Sequence, residues 1–504
     1  MLFNSFVFLF CFLPAVYLGH RLLLASGRYH PAIGFVALAS FFFYGWWSLG
    51  MLPLFLGSIV ANFGLGAAIR KARAAEATPR ADALLWIGII LNLGMLCYFK
   101  YLGFFADNFR AITGIDLGIP RVILPIGISF YTFVQIAYLV DHWRKPIPDA
   151  SFSRYAVFVS FFPHLIAGPI IHHRDVMPQF DAPAFRKPPF GMVSAGLAML
   201  AVGLFKKSAI ADNLAPVASA LFDSPSMGNP RALESWVGVL AYTMQIYFDF
   251  SGYSDMAVGL GYLFGIKLPV NFWSPYQAAS PIDFWRRWHM TLSQFLRDYL
   301  YIPLGGNRSG RLLRYRNLFL TMLLGGLWHG ANWTYVVWGA LHGALLAANH
   351  CWNEFKPRWW PSFGVAGPVA GRIGTFAFVA MAWVFFRAES VGAAWRVLGA
   401  LGGGAGAGFP KKPGLEAWLK AAELEPTQAS FLIAALLLAF FAPNSGRMLL
   451  GMAMDAKGRV IASEPGASRL RFSPSWAWAI ITGVLFFSAL WFSPEVSEFI
   501  YFQF

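Results

Sequence analysis

Apolar residues run along this chain in long blocks, with charge held between them. No Asp, Glu, Lys or Arg occurs from Pro31 to Ile69, and none from Asn317 to Asn353. A helix crossing a hydrocarbon core of about 30 Å needs roughly 17–25 apolar residues, so each stretch holds two spans. Reading every block this way predicts spans near 3–20, 31–47, 50–69, 83–103, 122–140, 155–171, 188–205, 236–264, 316–330, 333–351, 373–386, 429–443 and 475–493. Two are interrupted, 155–171 by Pro163, Gly168 and Pro169 and 236–264 by Gly252, which predicts broken or re-entrant segments. Non-helical backbone at membrane depth is tolerated only inside protein or along a cavity, so a site is sought there. Met1 to His20 is apolar without a basic start and reads as an uncleaved first span.

Composition sharpens this picture. Of 504 residues 57% are hydrophobic and only 12% charged, about half the usual complement of a soluble protein. A secreted disulfide scaffold, a disordered chain and a cytosolic enzyme are excluded. The expected fold class is all-α, a polytopic integral membrane protein with about 10–12 transmembrane helices plus re-entrant and amphipathic ones. The formal net charge of +15 would suggest nucleic acid in a soluble chain. Here the basic residues sit between apolar blocks, as in cytoplasmic loops, and no nucleic-acid partner is expected. Arg70, Lys71, Arg73 and Arg80 follow the third span, Arg144, Lys145 and Arg154 the fifth, and Arg447, Lys457, Arg459, Arg469 and Arg471 precede the last. Placing them in the cytoplasm puts both termini on the outer, periplasmic side and makes the 402–428 linker external and flexible. Cys11, Cys97 and Cys351 show no paired spacing and read as small buried apolar residues.

Ionisable groups inside apolar runs are costly in hydrocarbon, and each is a candidate for function. His329 lies in GGLWHGANWTY, His289 in DFWRRWHMTLSQF, His164 in FFPHLIAGPI, and Asp249 and Asp255 in YFDFSGYSDMA. An imidazole can take and return a proton near neutrality, which suits acyl transfer to a hydroxyl. The competing assignment for each is a hydrogen-bonded residue at a helix contact. Asp249 and Asp255, six residues apart, do not share a helix face, and polar helix-to-helix bonding is the reading adopted for them. His164, His172 and His173 cluster in sequence, but no Cys or HExxH pattern joins them, so no metal is expected. Arg286 and Arg287 open a basic stretch reaching Arg316. Loop bias explains such a stretch; so does a phosphate-bearing donor.

The segments LPIGISFYTF (124–133), FFPHLIAGP (161–169), YFDFSGYSDMAVGLG (247–261), FWRRWHMTLSQFLRDYLYIPLGGNR (284–308) and YRNLFLTMLLGGLWHGAN (315–332) resemble the membrane-bound O-acyltransferase family. Within it they are similar to the bacterial branch that includes alginate O-acetylation and teichoic acid D-alanyl transfer proteins, in matching order along the chain. The resemblance implies a single domain over 1–504, with N-terminal helices (1–120), a catalytic core (121–350) and C-terminal helices (351–504) ending in an external tail (494–504), around a central tunnel. It implies that His329 is the general base or acyl-handling residue, assisted by His289. Trp285, Arg286, Arg287, Trp328 and Asn332 are the donor-binding candidates. Tyr501, in the aromatic run FIYFQF, is a candidate transient acyl acceptor, the other reading being an interfacial anchor. The expectation is a bacterial inner-membrane O-acetyltransferase carrying acetyl from a cytosolic donor, acetyl-CoA, to an exopolysaccharide such as alginate. Cellulose or peptidoglycan acetylation is the alternative within that chemistry. An extracytoplasmic acetyltransferase partner and membrane lipid are expected, and no cofactor. The rival class is a transporter or export component with a histidine proton relay, which should show broken helices in matching halves.

Overall fold

The computed structural model describes residues 1–120, 122–145, 151–223, 230–308, 310–357, 364–404, 406–409, 414–455, 457–462, 471–493 and 497–500. Among these residues, strand occurs as a single antiparallel hairpin, Met452–Met454 with Val460–Ala462. Everything else regular is helix, as the apolar blocks require. The main helices are α1 (Val7–Ala25), α2 (Tyr29–Trp47), α3 (Leu49–Ala74), α4 (Thr78–Thr113), α5 (Ile128–Arg144), α6 (Phe152–Ser160), α7 (Phe190–Phe222), α8 (Ala232–Leu263), α9 (Met290–Leu296), α10 (Arg311–His329), α11 (Trp333–Phe355), α12 (Ala366–Arg387), α13 (Pro426–Phe441) and α14 (Trp476–Trp491). Among the described residues, α1, α3, α4, α7 and α12 are long and apolar enough to cross a membrane. A sixth span arises if Leu415–Ala421 and α13, bent at 89°, count as one. Other expected spans correspond to helices such as α5, α8, α10 and α11, which turn aromatic, small and polar side chains into protein. A helix enclosed by protein need not present apolar surface all round.

The chain forms two compact units: Met1–Leu200 with Met256–Pro269, and Ala201–Asp255 with Val270–Phe504. Both α7 and α8 supply residues to each unit.

In the first unit, Asn62 of α3 and Asn92 of α4 exchange side-chain amide bonds at 2.7 and 3.3 Å. Such pairs hold helices together where the hydrophobic effect between them is weak. The span expected at 155–171 is not one helix. The α6 helix ends at Ser160, Pro163 sits in a four-residue turn of helix (Phe162–Leu165), and the chain then runs irregularly to His172. Every residue from Tyr155 to His173 is buried, so the broken backbone is enclosed by protein as its unsatisfied amides require.

In the second unit, Gly252 does not break α8, contrary to the sequence expectation. The helix runs unbroken for 32 residues. A Cβ at Gly252 would lie 2.7 Å from the Gly203 carbonyl oxygen and 3.0 Å from the Lys207 amide nitrogen of α7. The glycine is there for close approach, not for a kink. The α10 and α11 helices use the same device: a Cβ at Gly326 would lie 2.3 Å from the Tyr335 carbonyl, and one at Gly339 2.5 Å from the Met322 carbonyl.

Candidate active site

His289, His329, Trp285, Arg286, Arg287, Trp328 and Asn332 all lie in the second unit. His289 caps the start of α9 in a left-handed conformation, φ 43°, which non-glycine residues adopt at a cost of order 1–3 kcal/mol and chiefly at functional sites. What holds it there is the chain at 271–273: the Met290 amide donates to the Asn271 carbonyl at 2.9 Å, and Trp273 to the Arg287 carbonyl at 2.9 Å. The His289 ring is fully buried, with Nδ1 3.1 Å from Asn271 Oδ1. The same oxygen accepts from the Thr291 backbone amide at 3.3 Å and hydroxyl at 3.0 Å. A backbone amide can only donate, which fixes that atom of Asn271 as the oxygen. Nδ1 of His289 therefore carries the proton and donates, and the basic lone pair is on Nε2. This is the tautomer of a proton acceptor held in place.

His329 ends α10, and the chain turns at Gly330 into Asn332, whose side chain accepts from the Thr334 amide at 3.1 Å and starts α11. Gly330 is required because Tyr335 leaves no room for a Cβ. The buried imidazole packs edge-on against Trp328, Trp338 and Phe386, with ring centres 4.8, 5.2 and 5.2 Å away. Trp328 also lies 6.3 Å from His289. The structure thus brings the two predicted histidines onto one indole. Trp285 belongs to the same wall, its Nε1 donating to Nδ1 of His342 at 3.3 Å. Asn332 has a capping bond and a second bond to the Glu389 carbonyl at 3.0 Å.

Arg286 and Arg287 line a cavity of about 520 Å³, closed on other sides by Arg447 and the hairpin residues Met454, Asp455 and Gly458. Arg287 is tied to Asp283 at 2.7 Å. The Arg459 backbone amide, donating to Asp455 at 2.8 Å, holds that carboxyl below the usual carboxylate range. Arginines lining an opening of this size suit a phosphorylated ligand.

The ring of Phe250 stands edge-on to His289 at 4.7 Å, and Phe499 lies 5.4 Å from Phe250. Asp249, beside Phe250, pairs with Lys207 at 2.6 Å, and Asp255 pairs with Lys206 at 2.6 Å. The polar bonding expected of the two aspartates is borne out, as ion pairs between α7 and α8. Tyr501 lies outside the described residues. In the first unit, His164 bonds the Phe158 carbonyl at 3.0 Å and His173 packs against His142 at 5.3 Å. Among the described residues, no three His, Cys, Asp or Glu side chains are placed to hold a metal.

The membrane-bound O-acyltransferase family model matches residues 143–386, a range that includes both histidines and both arginines. The peptidoglycan O-acetyltransferase of Helicobacter pylori is 43% identical over 79% of this chain and 79% of its own. The probable alginate O-acetylase AlgI of Pseudomonas aeruginosa is 44% identical over 80% of this chain and 75% of its own. This chain belongs to the membrane-bound O-acyltransferase family. More distantly, the teichoic acid D-alanyltransferase of Bacillus subtilis is 29% identical over 52% of this chain and 69% of its own. The chain is accordingly a membrane acyltransferase rather than a transporter.

Four polar residues beside the site of this O-acyltransferase escaped the sequence reading. Lys206 and Lys207 follow an apolar run and look like the cytoplasmic end of a span at 188–205. In fact α7 continues to Phe222, and Lys207 is buried inside it. Asn271 sits in a loop-like stretch, NFWSPY, with no spacing to mark it. His342 was detectable: it is an ionisable group within the charge-free 317–353 stretch, the same signal that marked His329.

Proposed function

We propose that this acyltransferase moves acetyl from cytosolic acetyl-CoA to an exopolysaccharide outside the inner membrane, with alginate the first choice of polymer. The O-acetyltransferase names of its relatives support the acetyl group, and the cavity lined by Arg286 and Arg287 supports a phosphorylated donor. Arg286 and Arg287 would hold donor phosphates, with Trp285, Trp328 and Asn332 framing the reacting end. The observation that carries the reading is the arrangement of the two buried imidazoles on Trp328, one of them locked by Asn271 in the proton-accepting tautomer.

In the proposed step a hydroxyl oxygen attacks the acetyl carbonyl and its proton passes to His329, with His289 assisting. The carbon–sulfur bond breaks, and the thiolate of coenzyme A leaves and takes up a proton. The hydroxyl is that of Tyr501, whose acetyl ester then passes to an extracytoplasmic partner that modifies the polymer. Splitting the transfer in two avoids a single reaction between groups on opposite sides of the membrane. Peptidoglycan is the alternative acceptor, supported by the Helicobacter pylori relative.

The test is acetylation of each polymer in cells, together with release of coenzyme A thiol by the purified protein. His329→Ala is expected to leave less than about a tenth of wild-type acetylation, since general base catalysis contributes 10²–10⁴-fold. Tyr501→Phe, which removes only the hydroxyl, is expected to abolish polymer acetylation at normal protein levels. Wild-type acetylation in that variant overturns the relay, and acetyl-CoA left intact by the wild-type protein overturns the donor.

A further inference from the structure

Lys207 sits near the middle of α7, in a stretch, Phe205–Ala211, wound as π-helix, a distortion frequent at functional sites. Its ammonium is 2.6 Å from Asp212 Oδ1 and 2.6 Å from Asp249 Oδ1, all three side chains being almost fully buried. The same nitrogen donates to Ser497 Oγ at 2.7 Å and to the Glu498 carbonyl at 3.1 Å. Ser497 in turn donates to Asp212 Oδ1 at 2.6 Å. The second oxygen of Asp249 accepts the Ile500 backbone amide at 3.0 Å. One cation and two carboxylates thus bind both ends of a four-residue segment, and of its two intervening side chains Glu498 is exposed while Phe499 is 1% exposed. Phe499 stacks on Tyr253 at 4.7 Å and touches Phe250, which stands against His289.

A pairing of helices needs only Lys207 and Asp249. The bonds to Ser497, Glu498 and Ile500 have a different use: they seat a segment made far later in the chain against the wall of the site. We propose that Lys207, Asp249 and Asp212 form a positioning socket that fixes Ser497–Ile500 behind Phe250, the ring that stands against His289, and that acyl transfer depends on this seating. The inference rests on the acyl-transfer reading given above and adds the residues that position the segment.

The experiment uses the full chain in membranes, with Cys11, Cys97 and Cys351 replaced by Ser and with Ile500→Cys introduced, and reads maleimide labelling beside polymer acetylation. Labelling reports seating without reference to activity, so it still decides if the donor or polymer assignment fails. Lys207→Met in this background is expected to label about tenfold faster, as a locally released segment does. Acetylation should fall by about 100-fold, the scale of a small misplacement at a reacting centre. If Lys207→Met is not recovered, Lys207→Met with Asp249→Asn leaves one fewer buried charge and takes the same readings. A stop at position 497 leaves the Lys207 pairs with Asp212 and Asp249 intact but also removes Tyr501, and that chain should insert normally yet lose acetylation altogether. Full acetylation by the shortened chain, or a thiol at position 500 still protected when the socket charges are gone, overturns the proposal.

Discussion

A single side-chain oxygen, Oδ1 of Asn271, sets which nitrogen of His289 carries the proton, and the left-handed turn at His289 aims the ring. The cost of that turn is offset by the two backbone bonds from the 271–273 stretch. Asn271→Ala is therefore expected to lower transfer by about tenfold or more while the apparent KM for acetyl-CoA stays near the wild-type value, because the change acts on proton position and not on donor contacts. Steady-state kinetics on purified protein check this; an unchanged kcat would remove His289 from the chemistry. At this scale the sequence was informative about charge and silent about geometry. His289 and His329 stand out because hydrocarbon does not tolerate imidazoles without a reason. Asn271 is an unremarkable amide in a loop, and its part comes from a fold that sets residues 271 and 289 side by side.

Among the helices, glycine carries the tightest contacts. Gly326 lets α10 meet α11, so that His329 arrives against Trp338. Gly326→Val should force the pair apart and lower stability by about 1–3 kcal/mol, the usual range for overpacking. Gly374, within α12 with nothing near its missing Cβ, is the contrast: Gly374→Ala should stabilise by roughly 0.4–1 kcal/mol. Thermal melts in detergent of the two variants should move in opposite directions. Elements were legible as apolar blocks, but a glycine in a block has two readings. At Gly252 the breaker reading failed because the partner helix, 49 residues upstream at Gly203, was invisible to local pattern. At Pro163 it held, since a proline removes a backbone donor whatever surrounds it. The short helix Pro281–Trp285 with the two arginines that follow it, and the hairpin at 452–462, line the cavity from different parts of the chain. Neutralising Arg286 and Arg287 together should raise the apparent KM for acetyl-CoA by about 100-fold or more, each lost charge-assisted contact being worth some 1.5–3 kcal/mol net. Membrane insertion should be unchanged; inverted insertion with normal KM would leave these arginines as topology signals alone.

For the molecule as a whole, the distribution of Lys and Arg proposes a sidedness that places the connection after α4 outside. Ile115, exposed in that connection, offers a direct check: Ile115→Cys in a cysteine-free background should react with an impermeant maleimide in intact spheroplasts. Protection there with reaction in inverted vesicles would reverse the assigned topology. The all-α membrane class was legible at this scale because charge-free runs of such length have few other uses. The division into two compact units was not, because α7 and α8 contribute to both and nothing local marks a helix shared in that way. The Lys207 socket has a consequence in time as well as in space. Lys207 and Asp249 are made close together, and each alone is costly in a hydrocarbon core, so α7 and α8 are best inserted as a pair. The amide of Ile500 that completes the arrangement is made 251 residues after Asp249, which at 5–20 residues per second is roughly 10–50 s later. A nascent chain can therefore have its helices in the bilayer and its arginine-lined cavity assembled while its socket stands open. Under the proposed seating, biosynthesis itself delays the chemistry until the chain has been made as far as Ile500.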